Sequence, residues 1–308
     1  MYRARHRHPH GVRPLGTPPG ARRPTLIPPA VLRNRTFTAG ISTFASQSLI
    51  LSGFMFTVPV FLQSALGYSA FDSGVALLPF SAFTLVVAVG STGWRRYVAQ
   101  KRLIQLGLVF IGAGLLVLTQ RTAPDLTITG MILPMAIIGI GLGLFTGQLV
   151  DLTMSSVPEA FSEVSSGVIN SLSQLGYAFG TAVAGSIQLG VFYGSVVDGV
   201  TLVSSGEEVS GDERRRLAVK LEDALETTTQ AQQEAFESGL SPDLQQQLSQ
   251  IILDAMVTAQ QIVLVVIVLF VLVTLLVSSF LPLKRPRRSG SRAPTTAPEE
   301  EKTTSTGE

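Results

Sequence analysis

Apolar residues gather into six long runs, at roughly 37–62, 71–92, 103–119, 127–150, 165–194 and 259–281, parted by short polar intervals except for a long one before the last. Each is near the ~20 residues that cross a hydrocarbon core about 30 Å thick, so the pattern predicts six transmembrane helices. The sixth is the purest, with Thr274 as the only polar residue between Ile262 and Val277. At about −0.3 to −0.6 kcal/mol per large apolar side chain, it favours insertion without help. The fourth and fifth carry Gly, Ser, Asn and Gln and depend on neighbours. In the fourth, Gly139, Gly143 and Gly147 recur at steps of four; in the fifth, Gly176, Gly180 and Ala184 do the same. That spacing lines one helical face with small residues, the device by which helices approach closely in lipid. These glycines are therefore read as helix-packing positions, and Gly194, at the end of its span, as a place with room. Asn170 and Gln174 turn inward if the seam packs.

Between the fifth and sixth spans lies an insert, residues 199–258, too long for an ordinary connection. Leu217, Leu221, Leu225 and Thr228 make a helical stripe, and Gly239 suits a stop. Ser241-Pro242-Asp243 then supplies an N-cap, a first-turn proline and an acid at a helix start. From Leu244 through Leu248, Ile251, Ile252 and Ala255 the helical period runs directly into Gln260. The insert is read as a solvated helical hairpin, with a gate or partner-binding cap as the other reading. The organisation is a basic tail over 1–32, helices one to five over 33–198, the insert, the last helix over 259–283, and a second tail over 284–308. Both tails lack the large apolar residues that a core needs and are expected to be disordered.

Composition agrees with a lipid solvent: 46% apolar and 14% charged residues, against about 25% charged in soluble domains, with a mean hydropathy of +0.39. The formal charge of +2 hides two poles. Eight arginines and no acid precede Phe37, whereas twelve acids and four bases lie between Asp198 and Thr258. Short-loop Lys and Arg sit before the first span (Arg33, Arg35), between the second and third (Arg95, Arg96, Lys101, Arg102) and after the sixth (Lys284, Arg285). In its short loops the opposite side holds only Arg121. The positive-inside rule then puts both termini in the cytoplasm of a bacterial-type inner membrane. The arginine tail is read as a topology signal, with no nucleic-acid partner. With no cysteine, and with every histidine (His6, His8, His10) in the tail, the spans offer no thiolate or imidazole to a metal. Nor is there a phosphate loop, a nucleophile elbow or a triad histidine, so an enzyme reading has no residues to stand on.

Ionisable and polar side chains inside spans are expensive and so mark candidate chemistry. Asp151 is an acid at the cytoplasmic end of the fourth span, and Asp72 lies at the very start of the second. Asp151 is either a proton-coupling group or a structural residue paired with a base. Gln148 lies one turn away, and Gln148, Asn170 and Gln174 can hydrogen-bond a substrate or another helix. Phe54, Met55, Phe56, Phe61, Phe80 and Phe83 are candidates to line a greasy pocket for lipophilic or amphipathic molecules, or else face lipid.

Several linked motifs carry a resemblance. Arg33-Asn34-Arg35-x-Phe37 precedes the first span; Val58-Pro59-x-Phe61-Leu62-Gln63-x-x-Leu66-Gly67-Tyr68-Ser69 follows it; Gly74-x-x-Leu77-Leu78-Pro79 lies in the second. Ser155-Ser156-Val157-Pro158 and Ser166-Gly167-x-x-Asn170-x-x-x-Gln174-Leu175-Gly176-x-x-x-Gly180 close the set. Together, over about Pro24 to Pro286, the chain resembles the C-terminal half of fourteen-helix drug:proton antiporters of the EmrB/QacA type, within the major facilitator superfamily. The first tail residues do not share the pattern. The resemblance implies an all-α membrane protein, six helices forming one half of a major facilitator fold with an extracytoplasmic helical insert. It implies proton-driven efflux of small molecules, no cofactor beyond the proton gradient, and a missing N-terminal half or a second copy as partner. Two departures qualify it. The loop Gly93-Trp94-Arg95-Arg96 to Lys101-Arg102 keeps the family's basic pairs without its acid, and the eight preceding spans are absent. A truncated or split exporter not competent alone is thus expected, with a non-transporting membrane binding or regulatory subunit as the alternative.

The charge pattern makes a direct prediction. Reporter fusions after Arg102 and Lys284 report a cytoplasmic position and a fusion near Glu226 an extracytoplasmic one; a cytoplasmic Glu226 would refute the six-span topology.

Overall fold

The computed structural model describes residues 35–94, 97–205, 210–227, 239 and 241–281. Both expected tails lie outside these residues, as do Arg33, Arg95, Arg96, Thr228 and Lys284. Among the described residues, seven α-helices follow one another: α1 Arg35–Ser64, α2 Ala70–Trp94, α3 Gln100–Arg121, α4 Ile128–Met154, α5 Ser162–Ser205, α6 Gly211–Thr227 and α7 Pro242–Ser278, with a 3-10 turn at Glu159–Phe161 before α5. Six of them, all but α6, are long and apolar enough to cross a membrane.

Local chemistry sets the helix ends. Gly67 takes φ +67°, a left-handed turn that a residue with a Cβ resists. The Tyr68 hydroxyl then donates to the Leu126 carbonyl at 2.9 Å, tying the α1–α2 loop to the α3–α4 loop. Ser69 caps α2 by accepting from the Asp72 amide at 3.1 Å while its hydroxyl donates to the Asp72 carboxylate at 2.7 Å. Thr127 caps α4 through the Gly130 amide, and Ser241 caps α7 through Leu244, with Pro242 in the first turn.

The helices pack in the cyclic order α1, α5, α7, α3, α4, α2, with α1 also against α7 and only lightly against α2 and α4. Glycines decide how closely. A Cβ on Gly143 would fall 2.7 Å from the Thr84 carbonyl oxygen of α2, and one on Gly139 would run into the Phe80 backbone. Gly176 and Gly180 meet the Ala45 and Leu49 carbonyls of α1 in the same way. A third contact has no counterpart in the spacing rule: Gly107 of α3 and Gly141 of α4 face each other, a Cβ on either lying 2.6 Å from the other's carbonyl oxygen. Gly147 is looser, its nearest neighbour Ser91 Oγ at 3.8 Å, so an alanine fits there.

Two expectations need correction. α5 does not stop at the membrane boundary but runs 44 residues, about 66 Å at 1.5 Å per residue, so the insert begins inside a continuous helix. Gly194 does not have room: the Arg214 guanidinium of α6 lies 3.0–3.2 Å from where its Cβ would be. Arg214 donates to the Gly194 carbonyl at 3.3 Å and pairs with Asp198 at 2.9 Å. On the same extension, Gly199 meets Ile251 of α7, and this contact and the Arg214 pair draw the three outer helical segments together.

Leucine at a seam glycine has to push a backbone aside, which costs about 1–3 kcal/mol. Gly143→Leu and Gly180→Leu therefore lower the aggregation temperature of the solubilised chain. Gly190→Leu, with nothing within 4 Å of its Cβ position, leaves it unchanged. Equal stability in all three would show that the seams do not hold the bundle.

Candidate functional site

Helix α5 presents two faces. Gly176 and Gly180 press on α1, whereas Glu163, Ser166, Asn170, Ser171 and Gln174 are exposed along the first half of the helix. The inward orientation expected of Asn170 and Gln174 is corrected by their phase: Gln174 precedes Gly176 by two residues, about 200° around a helix. The contrast with α7 is chemical. Its outward face, through Val265, Leu269, Leu272 and Leu276, is wholly apolar and suits lipid. Amides on the α5 face would be stripped of hydrogen bonds by acyl chains at a cost of about 1–3 kcal/mol each or more. That face needs protein or water against it. Burial agrees: 17% of the apolar stretch of α2 and of α5 is buried, against 39–56% in the other four spans.

The remaining sequence candidates lie in the bundle. Gln148 is 0% exposed; its Nε2 donates to the Ser91 carbonyl and Oγ of α2 at 3.4 and 3.3 Å, and its Oε1 is buried without a partner. It is a strut between helices rather than a surface group. Gln47, which the sequence reading passed over, donates from Nε2 to Thr146 Oγ1 at 2.9 Å and so bridges α1 to α4; its Oε1 is likewise unpartnered. A lone amide in the apolar run of α1 was the available signal. Phe54 is 2% exposed and packs against Phe80 at 5.7 Å between ring centroids. Together they border a cavity of about 20 Å³, enough for one water at most, so Phe54 is core and not pathway.

Asp151 accepts from Gln100 Nε2, which ties the end of α4 to the start of α3. Next to it Lys101 donates to the Ser279 carbonyl at 2.5 Å, holding α3 to the end of α7. Gly93 and Arg102 are exposed, and Gly93 has open space around it. The described part of the loop motif thus works as a staple.

At the end of the bundle away from Asp151, residues of α1, α5 and α7 come together. A pocket of about 210 Å³ forms there, lined by Phe56, Phe61, Phe192, Met256 and Gln188. Gln188 Nε2 donates to Gln260 Oε1 at 3.1 Å, and Gln260 is itself buried. Phe56 and Phe61 were among the candidates for a greasy pocket; Gln188, Gln260 and Phe192 were not recognised. The missed signal was phase, since Gln188 is the next step of four after Gly176, Gly180 and the buried Ala184, on the side of α5 that packs into the bundle.

Six long apolar helices joined by close backbone contacts, without strands among the described residues, define an all-α, multi-pass membrane protein. The family model of the Major Facilitator Superfamily matches residues 2–181, and the chain belongs to that superfamily. The match reaches back into the tail, whose own residues carried no such pattern. Among curated relatives, the chain is 30% identical over 216 residues to the multidrug efflux pump LfrA of Mycolicibacterium smegmatis, covering 67% of this chain and 42% of that protein. It is 27% identical over 170 residues to a probable actinorhodin transporter of Streptomyces coelicolor (54% and 29%). It is 28% identical over 168 residues to the multidrug transporter protein MdtP of Bacillus subtilis (53% and 30%). The chain thus spans less than half the length of these relatives.

Proposed function

We propose that this chain is the C-terminal six-helix unit of a proton-driven exporter of small lipophilic molecules, of the fourteen-helix type, working against a second six-helix unit. The observation that carries the reading is the polar face of α5: Asn170, Ser171 and Gln174 point out of the bundle where lipid would strand them. A partner half, or the water-filled space between two halves, satisfies them. Alternating access in this superfamily rocks two helical halves about a site at the membrane midplane, and a single half has nothing to rock against. The names of the relatives support efflux as the direction.

In this reading Asn170 and Gln174 line the path. Asp151, held at the cytoplasmic end of α4, takes up and releases the coupling proton. Gln148 and the seam glycines keep α4 rigid beside them. Both termini lie in the cytoplasm of the inner membrane, and the insert caps the outer mouth.

Cells expressing the chain alone should accumulate a lipophilic dye as control cells do. Cells that also express the amino-terminal six-helix unit of a family member should accumulate several-fold less, an effect lost when the proton gradient is collapsed. Asp151→Asn and Gln174→Leu weaken that export, because the first removes the titrating group and the second removes a path amide. Export by a chain shown to be monomeric would overturn the proposal.

A further inference from the structure

We propose that the outer pocket between α1, α5 and α7 selects uncharged aromatic molecules carrying a single hydrogen-bonding group, and rejects lipophilic cations of the same shape. The inference deepens the reading above, on which it rests for its place along the path, since Gln188 stands on the same helix as Asn170 and Gln174 and follows Gly176, Gly180 and Ala184 at steps of four. Three rings, Phe56, Phe61 and Phe192, and the pliable thioether of Met256 supply its walls. At about 210 Å³ it exceeds the ~150 Å³ cavity that holds benzene, so a substituted single ring or a compact two-ring molecule fits.

Polarity is confined to few groups. Gln188 has already committed one amide hydrogen to the buried Gln260, which fixes its orientation and leaves its carbonyl oxygen as an acceptor at the wall. Ser64 adds a hydroxyl at the outer rim. Among the described residues, none that lines the pocket is charged. Asp151 is at the opposite, cytoplasmic end of α4 and cannot neutralise a cation here. A cation in the pocket would lose its hydration without gaining a counter-charge, a loss that the faces of three rings offset only in part. A neutral phenol loses little and gains a hydrogen bond to an oriented amide.

The test compares two isosteres, 4-tert-butylphenol and 4-hydroxyphenyltrimethylammonium, binding to the 308-residue chain in lipid nanodiscs, with empty nanodiscs subtracted. The phenol should bind at least about tenfold more tightly than the cation, a margin of ~1.4 kcal/mol. Gly185→Leu, whose nearest obstacle is the movable edge of the Phe56 ring at 3.2 Å, should fill the pocket and abolish specific phenol binding. Gln188→Glu should reverse the order of the two ligands. Equal binding of both ligands, phenol binding that Gly185→Leu does not touch, an unchanged order in Gln188→Glu, or no specific binding, as when lipid chains fill the pocket, would each overturn the proposal. Binding needs no second half, so a chain that binds the phenol but fails to export even when the amino-terminal unit is co-expressed would contradict the transport reading and leave this one standing.

Discussion

The close approach of helix backbones at glycine is the constraint on which the rest of the bundle depends. Apolar side chains gain little on leaving hydrocarbon for a protein neighbour, so contact has to come from short range packing and from hydrogen bonds between helices. Gly139 and Gly143 bring α4 onto α2, Gly176 and Gly180 bring α5 onto α1, and the reciprocal pair Gly107 and Gly141 draws α3 onto the other side of α4. Polar side chains reinforce these crossings where they are tight: Thr84 Oγ1 reaches the Gly139 carbonyl at 3.2 Å, and Gln148 spans to Ser91. With three helix pairs set in this way, α7 fills the remaining angle between α1, α3 and α5.

Fixing one face of α5 on α1 determines what its other face can do. The glycines hold the helix so that Asn170 and Gln174 look away from the bundle, and the same line of steps, through Ala184, brings Gln188 to the pocket between α1, α5 and α7. Further along, the helix meets Arg214 at Gly194 and Ile251 at Gly199. One long helix thus links a polar face, an apolar pocket and the insert.

Much of this was legible in the residues. Hydropathy marked six spans because ~20 apolar residues have few other fates, and steps of four revealed the two seams through Gly139, Gly143, Gly176 and Gly180. Gly141 escaped because it lies two residues out of phase with its neighbours and its partner Gly107 is on another helix; a spacing rule sees one helix at a time. The orientation of Gln174 was deducible from Gly176 but needed the knowledge that the glycines face α1. The outer end of α5 was not legible, since Val196, Val197 and Val200 continue an apolar pattern whether the surroundings are lipid or the α7 extension. Nor was the burial of Gln148, since an amide in an apolar helix looks alike whether it braces a neighbour or meets a substrate.

The central claim is that the polar face of α5 does not meet lipid. The chain contains no cysteine, so single spin labels can be placed at Asn170→Cys, Gln174→Cys, Leu269→Cys and Leu272→Cys without background. Their collision rates with oxygen, which concentrates among acyl chains, can then be measured in reconstituted bilayers with the partner unit present. The account predicts high oxygen access at 269 and 272 and low access at 170 and 174; oxygen access at 170 and 174 matching that at 269 and 272 would contradict it.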